Sequence, residues 1–162
     1  MIEFRAGNYT IYDGYILSII EDRYELPIKK EEKTYTICYL SIHNYNLEKF
    51  KKHCNEDKFC KNISRNEIKN AFYSQTFGLY ENVRVKVFEY KNNRERLYTI
   101  ATSDSLDGEK LNMIEVNVSW YVKTIKLSDL TKLWEERSSS QYDLPMPDGL
   151  KEYEEIDIPK SI

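Results

Sequence analysis

The chain has 162 residues, of which 41% are hydrophobic and 31% charged, and its formal net charge is −3. This length predicts a single domain with a sizeable core, and the small net charge argues against direct nucleic-acid binding. No apolar run approaches about 20 residues, the length of a membrane-spanning helix, and the first residues lack the pattern of a signal peptide. These properties predict a soluble cytoplasmic protein without a membrane partner.

The N-terminal part of the chain has the composition of a β meander. Asp13-Gly14 predicts a tight hairpin between strands at residues 9–12 and 15–20, because both turn positions tolerate positive φ. Residues 34–42 are rich in β-branched and aromatic side chains, which predicts a further strand.

The centre of the chain has helical spacing. Leu47, Phe50 and Cys54 would share one side of a first helix. Residues 64–67, Ser-Arg-Asn-Glu, fit a capping box, in which the Ser and Glu side chains bind exposed backbone groups. This motif predicts a second helix that ends near Phe77.

Strand patterns return after residue 80, with one predicted strand over residues 97–102. The strongest pattern lies within residues 110–127. Apolar side chains there occupy every second position, at Ile114, Val116, Val118, Trp120 and Val122. Because successive strand residues point to opposite faces, this alternation predicts one long central strand with a buried apolar face. A short helix is expected next, over residues 129–137, with Leu130, Leu133 and Trp134 on one side.

The segment after residue 137 changes in composition. It contains three of the four prolines, and residues 141–162 hold six acids and two bases. We therefore expect an α+β domain of residues 1–137 and an acidic, proline-containing arm of residues 138–162 packed on it. The domain would have an antiparallel sheet of about seven strands, two central helices and a short C-terminal helix.

The acidic arm is the candidate partner-binding segment. Its aromatic residues would anchor a partner, and its acids would match a basic surface and speed association. The candidate residues are Tyr142, Asp143, Asp148, Glu152, Tyr153, Glu154, Glu155 and Asp157. The alternative is that the arm only packs on its own domain.

Metal and cysteine chemistry are the next possibilities. Zn²⁺ binds Cys and His, so Cys38, His43, Cys54 and Cys60 are weak candidate ligands, but no Cys-x₂-Cys pair is present. The odd number of cysteines predicts reduced thiols rather than a disulfide framework. The scattered glycines form no phosphate-binding loop. We expect no catalytic residues and no cofactor.

The chain resembles the small single-domain immunity proteins of bacterial polymorphic toxin systems. The resemblance rests on GNYTIYDG near the N-terminus, on SRNEIKNAF and on the acidic YDLPMPDGLKEYEEI segment. It implies stoichiometric binding of a cognate protein toxin, such as a nuclease with a basic phosphate-binding surface. It implies no particular functional residues.

Three hypotheses are compatible with these features. The first is a non-catalytic protein-binding module, with toxin neutralisation as its specific form. The second is a ligand-binding or structural domain that is able to self-associate. The third is an enzyme whose active site has no recognisable motif.

Overall fold

The described part of the chain is mostly antiparallel sheet. The computed structural model describes residues 4–22, 29–40, 43, 45, 47, 49–52, 58–89 and 97–158. Within these residues it has one short helix, α1 (Ser105–Lys110), and two 3-10 turns, Lys30–Glu32 and Leu127–Asp129. The twelve strands are β1 (Ala6–Tyr12), β2 (Tyr15–Glu21), β3 (Thr34–Leu40), β4 (Lys51–Lys52), β5 (Lys58–Ser64), β6 (Phe72–Tyr80), β7 (Val83–Glu89), β8 (Leu97–Thr102), β9 (Ile114–Asn117), β10 (Trp120–Lys126), β11 (Leu130–Ser139) and β12 (Tyr153–Glu155). The predicted α+β fold with three helices is therefore wrong.

The chain forms two compact units, each made of separate segments. Unit 1 contains residues 1–6, 74–137 and 151–162, and unit 2 contains residues 7–73 and 138–150. The expected arm of residues 138–162 is thus shared between the units. The predicted boundary between a domain of residues 1–137 and this arm stays a prediction.

Unit 2 contains the predicted meander. Its strands lie in the order β4-β5-β3-β2-β1. The hairpin between β1 and β2 is confirmed, because Tyr12 pairs with Tyr15 and both Asp13 and Gly14 have positive φ. Alternate side chains of these strands, including Leu17 and Ile37, form the buried core of the unit.

Unit 1 has the strand order β12-β11-β6-β7-β8-β10-β9. Its core comes from alternate positions of neighbouring strands, such as Val85, Val87 and Ile100, which are almost fully buried. Strand β8 begins and ends where the sequence predicts it. In the described residues no helix is long and apolar enough to cross a membrane.

The second predicted helix is wrong, although one of the two hydrogen bonds of its capping box forms. Glu67 accepts from the Ser64 backbone N–H at 2.9 Å and from the Ser64 hydroxyl at 3.1 Å. These bonds close a turn after β5, and the chain then continues into β6. A capping box stabilises one turn of backbone, and the packing of the next residues decides whether a helix continues.

The other two helices are wrong for a similar reason. Lys51–Lys52 is β4 rather than helix, and residues 47, 49 and 50 are not helical either. Residues 48, 53 and 54 lie outside the described residues. Residues 130–139 form β11, in which Leu133, Glu135 and Arg137 are all buried. This spacing of two places them on one face of a strand.

The long central strand is divided into a hairpin. β9 and β10 pair with each other, and the turn between them contains Ser119 at a φ of +55°. Ile114, Val116 and Val118 are 71%, 57% and 90% exposed, so the predicted burial of this face is wrong. An irregularity in the pairing at Trp120 leaves Val116 without a partner position, which interrupts the alternation.

Substitutions at Ile100 and Val118 separate the observed core from the predicted one. Ile100→Ala should lower the free energy of unfolding by about 2–5 kcal/mol, because it leaves a cavity. Val118→Ala should change it by less than about 0.5 kcal/mol, because the side chain is already in water. Urea titration measures both, and a larger cost at Val118 would contradict this account of the hairpin.

Candidate protein interface

Strand β12 and the residues that flank it carry five of the eight predicted partner-binding residues. The strand pairs with β11 in the register Trp134 with Glu155, Glu135 with Glu154 and Glu136 with Tyr153. Two backbone bonds extend this contact, from Arg137 N–H to the Glu152 carbonyl at 2.8 Å and from Ile156 N–H to the Leu133 carbonyl at 2.9 Å. The strand is fixed by its backbone, yet its three side chains are exposed.

A buried network of charges lies on one side of this strand pair. The Glu135 carboxylate, whose side chain is only 3% exposed, accepts from Arg5 at 2.9 Å and from Arg137 at 2.6 Å. Arg137 also donates to Glu154 at 2.5 Å and to the Lys151 carbonyl at 3.3 Å. The network therefore joins residues from all three segments of unit 1.

The pKa values within the network follow from this arrangement. Burial raises the pKa of the Glu135 carboxyl, but the nearby Ser74 hydroxyl and the two guanidinium groups outweigh it and lower that pKa. Burial lowers the pKa of Arg137, but its contacts with Glu135 and Glu154 outweigh burial and raise that pKa above its ordinary value. Both groups stay charged at neutral pH, so the network is ionic.

The side chains on the opposite side of the β11–β12 pair are exposed, and some of them form ion pairs. Lys132 lies 3.4 Å from Glu155 and also above the Tyr153 ring. In the described residues the carboxylates of Glu152 and Asp157 have no ion-pair partner, and both residues are exposed. These two acids are therefore available to an external partner.

The remaining predicted residues lie in unit 2, where two of them have structural roles. The Tyr142 hydroxyl accepts from the Glu21 backbone N–H at 3.2 Å, and its ring packs against Tyr35. Asp143 forms an ion pair with Lys30. Asp148 is exposed in a turn. The structure thus gathers Glu152, Tyr153, Glu154, Glu155 and Asp157 in unit 1 and separates them from the other three.

Two of the four candidate metal ligands are joined to each other, and those among the described residues form no metal site. Cys38 and Cys60 face each other on β3 and β5 and are joined by a disulfide. His43 stacks on Tyr45, and Cys54 lies outside the described residues. In the part of the chain that the structure describes, no three potential ligands come together. The prediction of reduced thiols is wrong for Cys38 and Cys60.

Sequence reasoning missed the buried network. Glu135 and Arg137 were expected in a helix, where residues two apart point in different directions. In a strand the same spacing puts both side chains on one face, so a strand assignment would have identified the pair. Their partners Arg5 and Glu154 are distant in sequence and give no local signal.

The buried carboxylate makes stability depend on pH in a defined direction. Because the folded state lowers the pKa of Glu135, its stabilising effect is complete well above pH 4.5, the ordinary value, and is lost as the pH falls below it. Glu135→Gln should cost about 3 kcal/mol at pH 7, because two guanidinium groups lose their counter-charge. The cost should shrink toward pH 3.

Urea unfolding of both proteins across pH 3–7 measures this difference. Glu136→Gln is the control, because the Glu136 carboxylate is more exposed and pairs with Arg84 at the surface. An equal cost for the two variants at every pH would show that the buried network is not what stabilises β12.

The disulfide should also contribute to stability. Cys38 and Cys60 are 22 residues apart, and closing a loop of this length stabilises a protein by about 3 kcal/mol in the chain-entropy model. Reduction should therefore lower the midpoint of thermal unfolding in the wild type and in Cys54→Ser, but not in Cys60→Ser. Equal midpoints with and without a reducing agent would contradict the cross-link.

Comparison with known proteins gives one match. A family model described as Uncharacterised conserved protein UCP033725 matches residues 4–141, which include β1 to β11 and end before β12. No curated protein and no solved structure matches the chain. The resemblance to immunity proteins is not addressed by this match and stays a prediction. The chain belongs to the family of Uncharacterised conserved protein UCP033725.

Proposed function

We propose that the chain is a non-catalytic protein-binding module whose partner has a basic surface. The observation that carries this proposal is β12, a strand fixed by backbone hydrogen bonds that exposes acidic side chains at the edge of unit 1. A rigid strand loses little conformational freedom on binding. The flanking acids Glu152 and Asp157, which have no ion-pair partner among the described residues, would attract basic groups and raise the association rate.

Toxin neutralisation is the specific form of this proposal. It comes from the resemblance of the sequence to immunity proteins, and a nuclease toxin would offer a basic phosphate-binding surface. In such systems the partner is encoded beside the binding protein, so the product of the neighbouring gene is the first partner to test.

The cellular compartment is a separate question. The cytoplasmic prediction relied partly on reduced thiols, and disulfides such as Cys38–Cys60 are more typical of oxidising compartments. A cytoplasmic location therefore stays a prediction.

Charge reversal at β12 tests the proposed binding. Glu152→Lys combined with Asp157→Lys should reduce the association rate for the neighbouring gene product about 10-fold or more at low salt, with a smaller effect at high salt. Surface plasmon resonance at two salt concentrations measures both rates.

The matched control is Glu31→Lys combined with Glu32→Lys. It makes the same charge change at two exposed acids of unit 2. Equal losses in the two double variants would mean that only net charge matters and that β12 is not the binding surface. Absence of any binding by the wild type would exclude this partner, and failure to protect cells from it would exclude toxin neutralisation.

A further inference from the structure

Strand β12 has an open edge in the described part of the chain. It pairs with β11 on one side, and no described strand pairs with it on the other. A strand with a single neighbour presents a row of backbone N–H and C=O groups to its surroundings. Because these groups alternate along the strand, the ligand that matches several of them at once is another extended polypeptide.

The hydrogen bonds to β11 show which backbone groups point outward. The Glu152 carbonyl and the Ile156 N–H are both bonded to β11. Backbone groups of successive strand residues point in opposite directions, so Glu154 also faces β11. The N–H and C=O groups of Tyr153 and Glu155 therefore point away from it. Among the described residues no backbone hydrogen bond is made by these four groups.

The open edge is held in strand conformation by contacts on its inner side. Ile156 and Ile158 pack against the buried core of unit 1. Glu154 accepts from Arg137, which is itself bonded to the buried Glu135. A partner would meet an edge that is already ordered, so it would lose mainly its own conformational freedom on binding.

The charges on and beside this edge favour a basic segment. They come from residues 151–158, from β11 and from the ion-pair partners of β11. The acids are Glu135, Glu136, Glu152, Glu154, Glu155 and Asp157, and the bases are Arg5, Arg84, Lys132, Arg137 and Lys151. Four of the five bases are already paired with these acids. Glu152 and Asp157, at the two ends of the edge, are exposed and have no ion-pair partner among the described residues. They would pair with Lys or Arg side chains.

A second copy of the chain matches this edge poorly. Two β12 strands related by a two-fold axis would pair in an antiparallel register. A register centred on Glu154 or Glu155 would set that residue opposite its own copy, and one centred on Ile156 would set Glu155 opposite Asp157. Like charges directly opposite each other destabilise a strand pair. The acids therefore act against self-association and leave the edge open to a strand of opposite charge.

We propose that a protein partner adds an extended segment to the free edge of β12. The backbone of this segment would bond to Tyr153 and Glu155, and its Lys or Arg side chains would lie beside Glu152 and Asp157. This inference rests on the proposed function and specifies how the partner is recognised.

Two substitutions at one position separate backbone from side-chain contacts in the full chain. Tyr153→Pro removes the outward N–H and places a ring where the added strand would lie, but it leaves the bonds between β12 and β11. Tyr153→Thr removes the same aromatic ring and keeps the N–H and the strand preference. Neither substitution changes the charge. Both variants should melt at similar temperatures, because an edge position tolerates Pro.

The probe is the product of the neighbouring gene. Tyr153→Pro should bind it about 30-fold more weakly than Tyr153→Thr, because strand addition loses a hydrogen bond and meets a steric block. Surface plasmon resonance measures both affinities.

Amide hydrogen exchange of the wild type, followed by NMR, gives a second readout that needs no variant. In the free protein the Glu154 and Ile156 amides should exchange slowly and those of Tyr153 and Glu155 quickly. Partner binding should slow exchange at Tyr153 and Glu155.

Other outcomes would overturn the inference. Equal affinities of the Pro and Thr variants, or unchanged exchange at Tyr153 and Glu155 in the complex, would exclude strand addition while leaving the proposed function intact. Wild-type dimers that Tyr153→Pro does not form, detected by sedimentation velocity, would assign the edge to a second copy. If the wild type binds no neighbouring gene product, the proposed function fails first and strand addition fails with it.

Discussion

The ion pairs of Glu135 with Arg5 and Arg137 are the interactions on which unit 1 depends. Removing these charges from water is costly, and only close pairing with good hydrogen bonds offsets the cost. The network includes Arg5 from the first segment of the unit, Glu135 and Arg137 from the second, and Glu154 from the third. A shift of the first or the third segment would cost Glu135 or Arg137 one of its two charged partners, so the network helps to fix where β12 lies.

The C-terminal sequence after residue 137 also contributes to unit 2, through residues 138–150. The backbone carbonyl of Pro145 accepts from the Ala71 N–H at 2.9 Å, and that of Asp143 accepts from Arg65 at 3.1 Å. Leu144, between them, is buried in the core of that unit. The apolar content of the C-terminal sequence therefore has two explanations. Its first half packs into unit 2, and its second half completes the edge of unit 1 with acids facing outward.

The elements that could be predicted from the sequence are those determined by residues within a few positions of each other. The Asp13-Gly14 hairpin and β8 were predicted because turn residues and short alternating runs act within a few positions. The helices were mispredicted because the Ser64–Glu67 bonds and the spacing of Leu130, Leu133 and Trp134 fit a helix locally. Neither motif reveals that neighbouring strands provide hydrogen bonds along the segment. This strand pairing overrides helical propensity.

In the candidate site, too, only features that depend on neighbouring residues could be predicted. The acids of β12 were identified from composition, but their separation from Tyr142 and Asp143 depends on which unit each half of the segment joins. The alternation from Ile114 to Val122 predicted a buried face because it contains no obvious turn residue. A positive φ at Ser119 and the irregularity at Val116 are properties of the folded backbone. The Cys38–Cys60 pairing depends on the register of β3 and β5, which single-strand patterns do not specify.

The central claim is the proposal that unit 1 binds a basic protein partner through β12 and the acids that flank it. Amide hydrogen exchange of the full chain, measured by mass spectrometry with and without the neighbouring gene product, tests it most directly. Exchange should slow in residues 152–157 when the partner is present, and should not change in β3 of unit 2. Slower exchange confined to unit 2, or no change anywhere despite binding, would contradict it.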